Sequence, residues 1–514
     1  MSTSSPPPTL SPPRRGPRIW LRLLILLALI IASPVLFYVI DRLRAEWELR
    51  AAWAEADRTD PGWRFEDLQA KREVIPDEEN GALQVLKALR LLPKAGYTPQ
   101  WKTIVPGTEW SRDEVSRWRA DFMQALDDQP ANTTLNVQQI LGLDGEVEEW
   151  NAALDELRRL VSFSRGRYPQ SGTEGNTWGL LHLLNWQVRI QAHRQNWPEA
   201  VAACRAAFAL QRCIGDEPSV GAPRTRVGLA YNATDYVERL LGQGEPPAEA
   251  LAALQRDVRN EMQLPHFLRY ARAERAEFHR LFRQIAAADS SPDEMKAAIN
   301  YARILMNPGK ADAWLSRPEE KNWLAKFRER IGMDIDWKRW ETEAMQASNA
   351  WVAIAKLPTV EQYAAYKAKR AQSGKDGKSV FSVTYKLADS SLRVHAKVLA
   401  TETALALERC RQELGRWPDK LDDLAPRYID KVPIDPFTGR PLCYRRLADG
   451  VAVYSVGMDE QDNGGKSRYL PNDIPGGELQ TGLDIGIRLW DPDKRRAPPL
   501  PPLPPPKRER PDDF

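Results

Sequence analysis

A 22-residue apolar run close to the N-terminus, Ile19 to Ile40, whose single charge is Arg22, constrains this chain more than any other feature. A helix of that length spans about 33 Å, which matches the hydrocarbon thickness of a bilayer. The N-terminal side of the run, including its first turn, is rich in arginine and contains no acid: Arg14, Arg15, Arg18 and Arg22. Charges of both signs follow from Asp41 onward. The positive-inside rule therefore predicts a single-pass transmembrane helix with a cytoplasmic N-terminus.

This orientation predicts a signal anchor in the inner (cytoplasmic) membrane, with the bulk of the chain extracytoplasmic. The alternative is a cleavable signal peptide, which has a shorter apolar region and small residues at its cleavage site. The best small-residue site here follows Ser33, but Ile31 occupies an unfavourable position and Pro34 follows directly. We therefore expect the anchor to remain uncleaved.

Composition indicates a folded ectodomain, since 42% of the residues are hydrophobic and 18 are tryptophans. The formal net charge is only +3, with 73 basic and 70 acidic side chains interspersed. No large field of one sign points to nucleic acid as a partner. Four cysteines are too few for a disulfide framework. We expect unpaired buried thiols, with Cys410–Cys443 as the alternative.

Apolar residues three and four apart recur from Trp110 to Leu305 and predict one helix after another. The segment 192–203 resembles the turn and second helix of a tetratricopeptide-type hairpin, but no strict period recurs, which favours an irregular helical-hairpin ectodomain. The predicted fold class is mainly α, with a membrane helix and a small α+β module at the C-terminus. The predicted divisions are a Pro-rich cytoplasmic tail at 1–18, the membrane helix at 19–40, a helical ectodomain at 41–372, a linker at 373–389, the α+β module at 390–493 and a second Pro-rich tail at 494–514.

The C-terminal module has a distinctive order of elements. Ala400–Leu414 is predicted as a helix that stops at Gly-Arg-Trp-Pro, and Leu421–Tyr428 as a short second helix. The turn Asp-Pro-Phe-Thr-Gly-Arg-Pro then leads into predicted strands at Leu442–Arg446 and Val451–Val456. Phe381–Tyr385, before the module, is expected to be a short strand or an extended connection.

This order resembles the C-terminal half of the major pseudopilin of type II secretion, in which a helix, a Gly-x-Tyr/Trp-Pro stop, a short helix and an Asp-Pro-x-x-Gly-x-Pro turn precede the strands. The resemblance covers under a fifth of the chain and implies a fold and not an activity. Together with the anchor and Ile-Pro-Asp-Glu-Glu-Asn at 75–80, it makes the chain similar to a group of membrane-anchored bacterial envelope proteins. Pilin-like polymerisation is not expected, because no prepilin-peptidase junction precedes Ile19.

The loop after the second predicted strand is the candidate metal site. Asp459, Asp462 and Asn463 supply hard oxygen donors on a glycine-bearing turn, and such donors suit calcium. An EF-hand is excluded because Leu470 stands where a bidentate glutamate is required. In the major pseudopilin the corresponding loop binds calcium with help from a following acidic run, which this chain lacks. Both a calcium site and a solvated turn stay open.

No sequence motif indicates catalysis or nucleotide binding. Two Gly-Lys-Ser triplets, at 377–379 and 465–467, lack the glycine that a phosphate loop needs five residues earlier. No two histidines are spaced to bind one metal on adjacent helical turns. We therefore predict a non-enzymatic envelope scaffold or interaction protein. The alternative is an envelope hydrolase, for which a deep pocket would gather several of Glu78, Glu79, Asp144, Glu174, His182 and His193.

Three further features have structural interpretations. The acids from Asp77 onward are expected to cap a helix, with Asp77 as the capping residue. The tryptophans Trp314, Trp323, Trp337, Trp340 and Trp351 favour core packing over a sugar-binding surface. A Pro-rich tail can bind an aromatic groove, but we expect both tails to be stiff solvated spacers.

Overall fold

The computed structural model describes residues 17–92, 104–105, 111–169, 177–262, 264–286, 337–375, 382–466 and 483–505. Within these residues the fold has fourteen α-helices and one three-stranded antiparallel sheet. The predicted mainly α fold class is confirmed. The chain divides into two compact units, residues 1–61 with 318–346, and residues 62–317 with 347–514.

The first unit contains α1 (Pro17–Thr59), one continuous helix of 43 residues. It includes the predicted membrane span at 19–40 and continues to Thr59. Beyond the span, Ala45, Leu49, Ala52 and Ala56 are buried on one side of the helix. α12 (Trp337–Ala355) begins in this unit, and the hydroxyl of Thr342 donates a 3.0 Å hydrogen bond to the carbonyl of Ala45.

The predicted membrane span at 19–40 lies inside α1. In the part of the chain that the structure describes, no helix has both the length and the apolar character needed to cross a bilayer. The side chains at 27–32, 34, 35 and 38 lie outside the described residues. The predicted membrane helix is therefore not confirmed.

The second unit contains the remaining helices and the sheet. Its helices are α2 (Phe65–Ala70), α3 (Gly81–Arg90), α4 (Arg112–Asp128), α5 (Val137–Glu149), α6 (Asn151–Arg159), α7 (Trp178–His193), α8 (Trp197–Arg212), α9 (Gly221–Gly242), α10 (Ala248–Met262), α11 (His266–Ala286), α13 (Thr359–Lys375) and α14 (Ser382–Leu414). The later part of α12 also belongs to this unit. Helices occupy most of the described part of the predicted stretch from Trp110 to Leu305, whereas residues 287–305 lie outside the described residues.

Local sequence explains where several helices begin. Ser111 opens α4 with a capping box in which its side chain and that of Glu114 each accept a backbone amide. Asn136 and Gln139 form the same arrangement at α5. The predicted cap at Asp77 is wrong, because this residue starts a short 3-10 turn. Asn80 caps α3 instead, and its side chain accepts the amide of Ala82 at 3.2 Å.

α7 and α8 form the hairpin that the tetratricopeptide-like segment predicts. Only three residues separate the two helices, and Gln195 among them adopts a left-handed φ of 59°. A connection this short requires the helices to run antiparallel. The helix α8 is rich in alanine, and Ala203, Ala206 and Ala207 are buried, so neighbouring helices can approach closely.

At the C-terminus, α14 ends at Leu414, directly before the predicted Gly-Arg-Trp-Pro stop. The predicted second helix is only a 3-10 turn at Leu421–Leu424. The strands β1 (Cys443–Leu447), β2 (Gly450–Ser455) and β3 (Ile485–Trp490) form the sheet in that order. The first two strands confirm the prediction, whereas β3 was not predicted.

The sheet and the helices share one hydrophobic core. This core runs from Ala82 in α3 to Leu489 in β3 and includes Leu405 and Leu407 of α14. The predicted division into an ectodomain at 41–372, a linker at 373–389 and a module at 390–493 stays a prediction. The expected extended segment at 381–385 is wrong from Ser382 onward, because α14 begins there, and residues 376–381 lie outside the described part.

The cysteines and Trp351 bear out two smaller predictions. All four cysteines are free, with Cys204, Cys213 and Cys410 buried and Cys443 partly buried. Trp351 is 1% exposed and packs in the core. The other tryptophans predicted to pack in the core, Trp314, Trp323, Trp337 and Trp340, lie outside the described side chains.

Candidate functional site

The acidic loop follows β2 and brings the three predicted calcium ligands together. Left-handed backbone at Gly457 (φ 73°) and Glu460 (φ 58°) turns the chain tightly. The carboxylate of Asp459 accepts the amide of Gln461 at 3.1 Å and lies 3.4 Å from the side-chain nitrogen of Asn463. The carboxylate of Asp462 accepts the amide of Gly464 and the hydroxyl of Tyr454, each at 2.8 Å.

Two further carboxylates hold this loop, and sequence reasoning missed their roles. Asp484, which precedes β3, accepts the amides of Asn463 at 3.2 Å and Gly465 at 2.6 Å. Burial raises the pKa of Asp484 above its ordinary value, against the effect of these two amides. Asp435, of the Asp-Pro turn, is 1% exposed and accepts the hydroxyl of Ser455 at 2.8 Å. Its other oxygen accepts the amide of Val456 at 3.1 Å.

These contacts define what the loop can do. Its carboxylates accept hydrogen bonds from backbone amides and from a hydroxyl, and these bonds hold the turn together. The Gly464 amide and the Tyr454 hydroxyl hold the pKa of Asp462 below its ordinary value. Among the described residues, no group of three or more His, Cys, Asp or Glu side chains is arranged to bind a metal ion. The calcium site at Asp459, Asp462 and Asn463 stays a prediction.

A groove of about 450 Å³ lies beside the acidic loop, between α13 and the Asp-Pro turn. We name it the α13 groove, and its lining consists of Tyr363, Ala364, Lys367, Ala368, Ala371, Phe437 and Glu460. The ring of Tyr363 meets that of Phe437 edge to face at 4.9 Å, and its hydroxyl donates to the carbonyl of Met458. Lys367 pairs with Glu460 across the groove at 2.5 Å.

The chemistry of the α13 groove suits contact more than catalysis. Burial, aided by Glu460, raises the pKa of Tyr363 to about 12, so its hydroxyl stays protonated near neutral pH. Its lysine is neutralised by the pairing with Glu460. Three of the lining residues are alanines, which offer no reactive group.

The five described residues named for the hydrolase alternative do not form one pocket. Glu79 pairs with Arg165 at 2.8 Å on the surface, and Glu78 is exposed. Asp144 pairs with Arg194 at 2.6 Å. The imidazole of His193 accepts the amide of Leu135 at 3.3 Å, whereas His182 is exposed. Glu174 lies outside the described residues, and the other five are distributed over separate contacts.

A buried ionic cluster at the ends of α9, α10 and α11 was not anticipated from the sequence. Arg226 donates two 3.0 Å hydrogen bonds to Glu261, and Nε2 of His266 lies 3.1 Å from the same carboxylate. Burial opposes the charged form, yet Arg226 and His266 hold the pKa of Glu261 well below its ordinary value. A carboxylate with so low a pKa is a poor general base near neutral pH. The cluster therefore joins helix ends and is not adapted to proton transfer.

Comparisons with protein-family models, curated proteins and solved structures found no match.

Proposed function

We propose that this chain is a membrane-anchored envelope scaffold or interaction protein without enzymatic activity. One observation carries the proposal: the N-terminal half of α1 exposes large apolar side chains at both ends of the apolar run. They are Trp20, Leu21, Leu23, Leu24, Ile25, Leu26, Leu36, Phe37, Val39 and Ile40. Exposed apolar side chains grouped in this way mark a site of membrane or protein contact. The arginines before it favour a cytoplasmic N-terminus.

The second unit contains buried ion pairs that hold separate segments together. Arg72 pairs with Glu217 at 2.8 Å, for example, and both side chains are almost fully buried. The hydrolase alternative lacks a comparable observation, because its residues are distributed over separate contacts. The proposed pseudopilin-like character of the C-terminus is supported by a long helix, α14, that packs against β2 and β3.

Membrane attachment is tested on the full chain expressed in a bacterial host. Alkaline carbonate extraction should leave the wild-type chain with the membranes. Leu24→Arg combined with Leu26→Arg adds two charges to the first half of the run and should release the chain, since each charge costs up to about 3 kcal/mol in a membrane helix. Leu43→Arg is the matched control, because Leu43 is an exposed leucine of α1 just beyond the run.

The orientation is tested in the same cells. Protease added to spheroplasts should digest the chain after residue 40 and leave only a short N-terminal fragment protected. Extraction of the wild-type chain by carbonate, or protection of the whole chain from protease, would contradict the proposed anchoring.

A further inference from the structure

The C-terminal Pro-rich tail lies on the helical body, where a solvated spacer was expected. Residues 497–505, Ala-Pro-Pro-Leu-Pro-Pro-Leu-Pro-Pro, cross the surface of α4 and the start of α5. We name this stretch the tail segment, and the surface beneath it the proline groove. The groove consists of Val115, Trp118 and Phe122 from α4, with Thr134, Asn136 and Gln138 at and before α5.

The groove contacts the backbone of the tail segment at regular intervals. The amide of Thr134 donates to the carbonyl of Ala497 at 2.9 Å. The side chain of Asn136 donates to the carbonyl of Leu500 at 3.0 Å. These two acceptors, together with Leu503, are spaced three residues apart. A polyproline II helix has three residues per turn, so the three positions share one face of the segment.

Two side chains complete the contact at the far end. Gln138 accepts the amide of Leu503 at 2.8 Å and donates to its carbonyl at 3.4 Å. The indole nitrogen of Trp118 donates a 2.7 Å hydrogen bond to the carbonyl of Pro504. The side chain of Leu503 packs against the cluster of Val115, Trp118 and Phe122. Aromatic grooves that bind proline-rich peptides use this combination of indole donor and apolar contact.

The tail segment is bound on the surface and is not part of the core. Its residues at 498–502 are exposed, and Leu500 keeps 44% of its surface accessible. By contrast, Arg495 just before it is buried and pairs with Glu408 at 2.7 Å. The buried part of the fold therefore extends to Arg495, and the tail segment after it lies on the surface, in contact with the groove.

We propose that the proline groove is a binding site for proline-rich protein segments with leucine at every third position, and that the tail segment occupies it in cis. A partner segment of the same chemistry binds the groove by displacing the tail. The tail competes at an effective concentration in the millimolar range, as expected for a short tether. This inference rests on the proposed interaction role and names the ligand class for it.

The test is fluorescence anisotropy with a labelled nonapeptide of the tail-segment sequence and the purified full chain. Leu503→Asp removes the apolar anchor of the tail and opens the groove. We expect this variant to bind the peptide at least tenfold more tightly than the wild-type chain does. Adding Trp118→Phe should weaken binding about tenfold, because it removes one partly buried hydrogen bond. Gln138→Ala should weaken binding at least as much.

Trp150→Phe is the matched control. The indole nitrogen of Trp150 is buried and donates no hydrogen bond among the described residues, so this change should leave peptide binding unaltered. Circular dichroism will show whether each variant is folded. Binding of the peptide by the wild-type chain at high peptide concentration is a second measurement, and it requires no change to the tail. Absence of binding by both chains, or binding that Trp118→Phe and Gln138→Ala leave unchanged, would overturn the inference. The assay involves no membrane, so its failure is distinct from a failure of membrane attachment.

Discussion

Glu408, near the C-terminal end of α14, offers the sharpest test of how this protein is stabilised. Its side chain is fully buried and both of its oxygens are occupied by guanidinium groups. Arg495 reaches it at 2.7 and 3.1 Å, and Arg411 at 2.8 and 3.2 Å. Burial opposes ionisation, yet the two arginines hold the pKa of Glu408 below its ordinary value. The contact ties the chain after β3 to α14.

Replacing Glu408 by glutamine keeps the shape and removes the charge. The guanidinium groups of Arg411 and Arg495 then stay buried without the negative charge of Glu408. In addition, the NH2 group of the new amide faces N–H donors of the arginines and cannot accept their hydrogen bonds. Breaking a buried pair by removing one partner costs about 3–5 kcal/mol. We expect Glu408→Gln to lose that much, which is a large part of the roughly 5–15 kcal/mol that stabilises a typical protein. Because the pKa of Glu408 is lowered, the loss should be full at neutral pH and shrink as pH falls below about 4.5.

Urea unfolding, followed by circular dichroism and tryptophan fluorescence, measures this loss. Asp419→Asn is the control, because Asp419 pairs with Arg416 on the surface at 3.3 Å and such pairs contribute about 0–1 kcal/mol. The double variant Glu408→Met with Arg495→Met should be more stable than Glu408→Gln, since it buries no unpaired charge at this pair. If Glu408→Gln costs no more than Asp419→Asn, the reasoning about buried charge at this position is wrong.

Three further predictions concern other sites. Burial lowers the pKa of His395 to about 4, so the free energy of unfolding of the wild-type chain should be full above pH 6.5 and decline by up to about 3 kcal/mol toward pH 4. His395→Gln should reduce this decline, as measured by urea unfolding midpoints at a series of pH values. Calcium should leave the Tm of the purified chain unchanged, because the carboxylates of the loop already accept hydrogen bonds; a rise that disappears in Asp459→Ala would instead establish a calcium site. Gly450→Ala should lower the Tm far more than Gly415→Ala. A Cβ at 450 would lie 2.0 Å from the carbonyl oxygen of Leu489, whereas a Cβ at 415 meets nothing within 4 Å and costs only the strain of left-handed backbone, about 1–2 kcal/mol. Equal losses of Tm in the two variants would contradict the clash.

Several features could be predicted because they depend on neighbours in sequence. The stop of α14 before Gly415 needs only a glycine in left-handed backbone, here with φ 69°, and a proline shortly afterwards. The α7–α8 hairpin and the first two strands likewise follow from local spacing. The acidic loop was recognised by its composition. Its closure was not, because Asp484 lies 21 residues from Asn463 and looked like an isolated acid.

Sequence by itself determined the helical class, the ends of several helices and the chemical character of both termini, since hydrogen bonds and apolar periodicity within a few residues decide these. Only the tertiary structure decided which distant groups meet. Glu408 and Arg495 are 87 residues apart, and Trp118 and Pro504 are 386 apart. Such contacts depend on how the shared core of helices and sheet brings separate surfaces together. No local pattern in the chain encodes that placement, and so the bound tail segment became visible only in the folded protein.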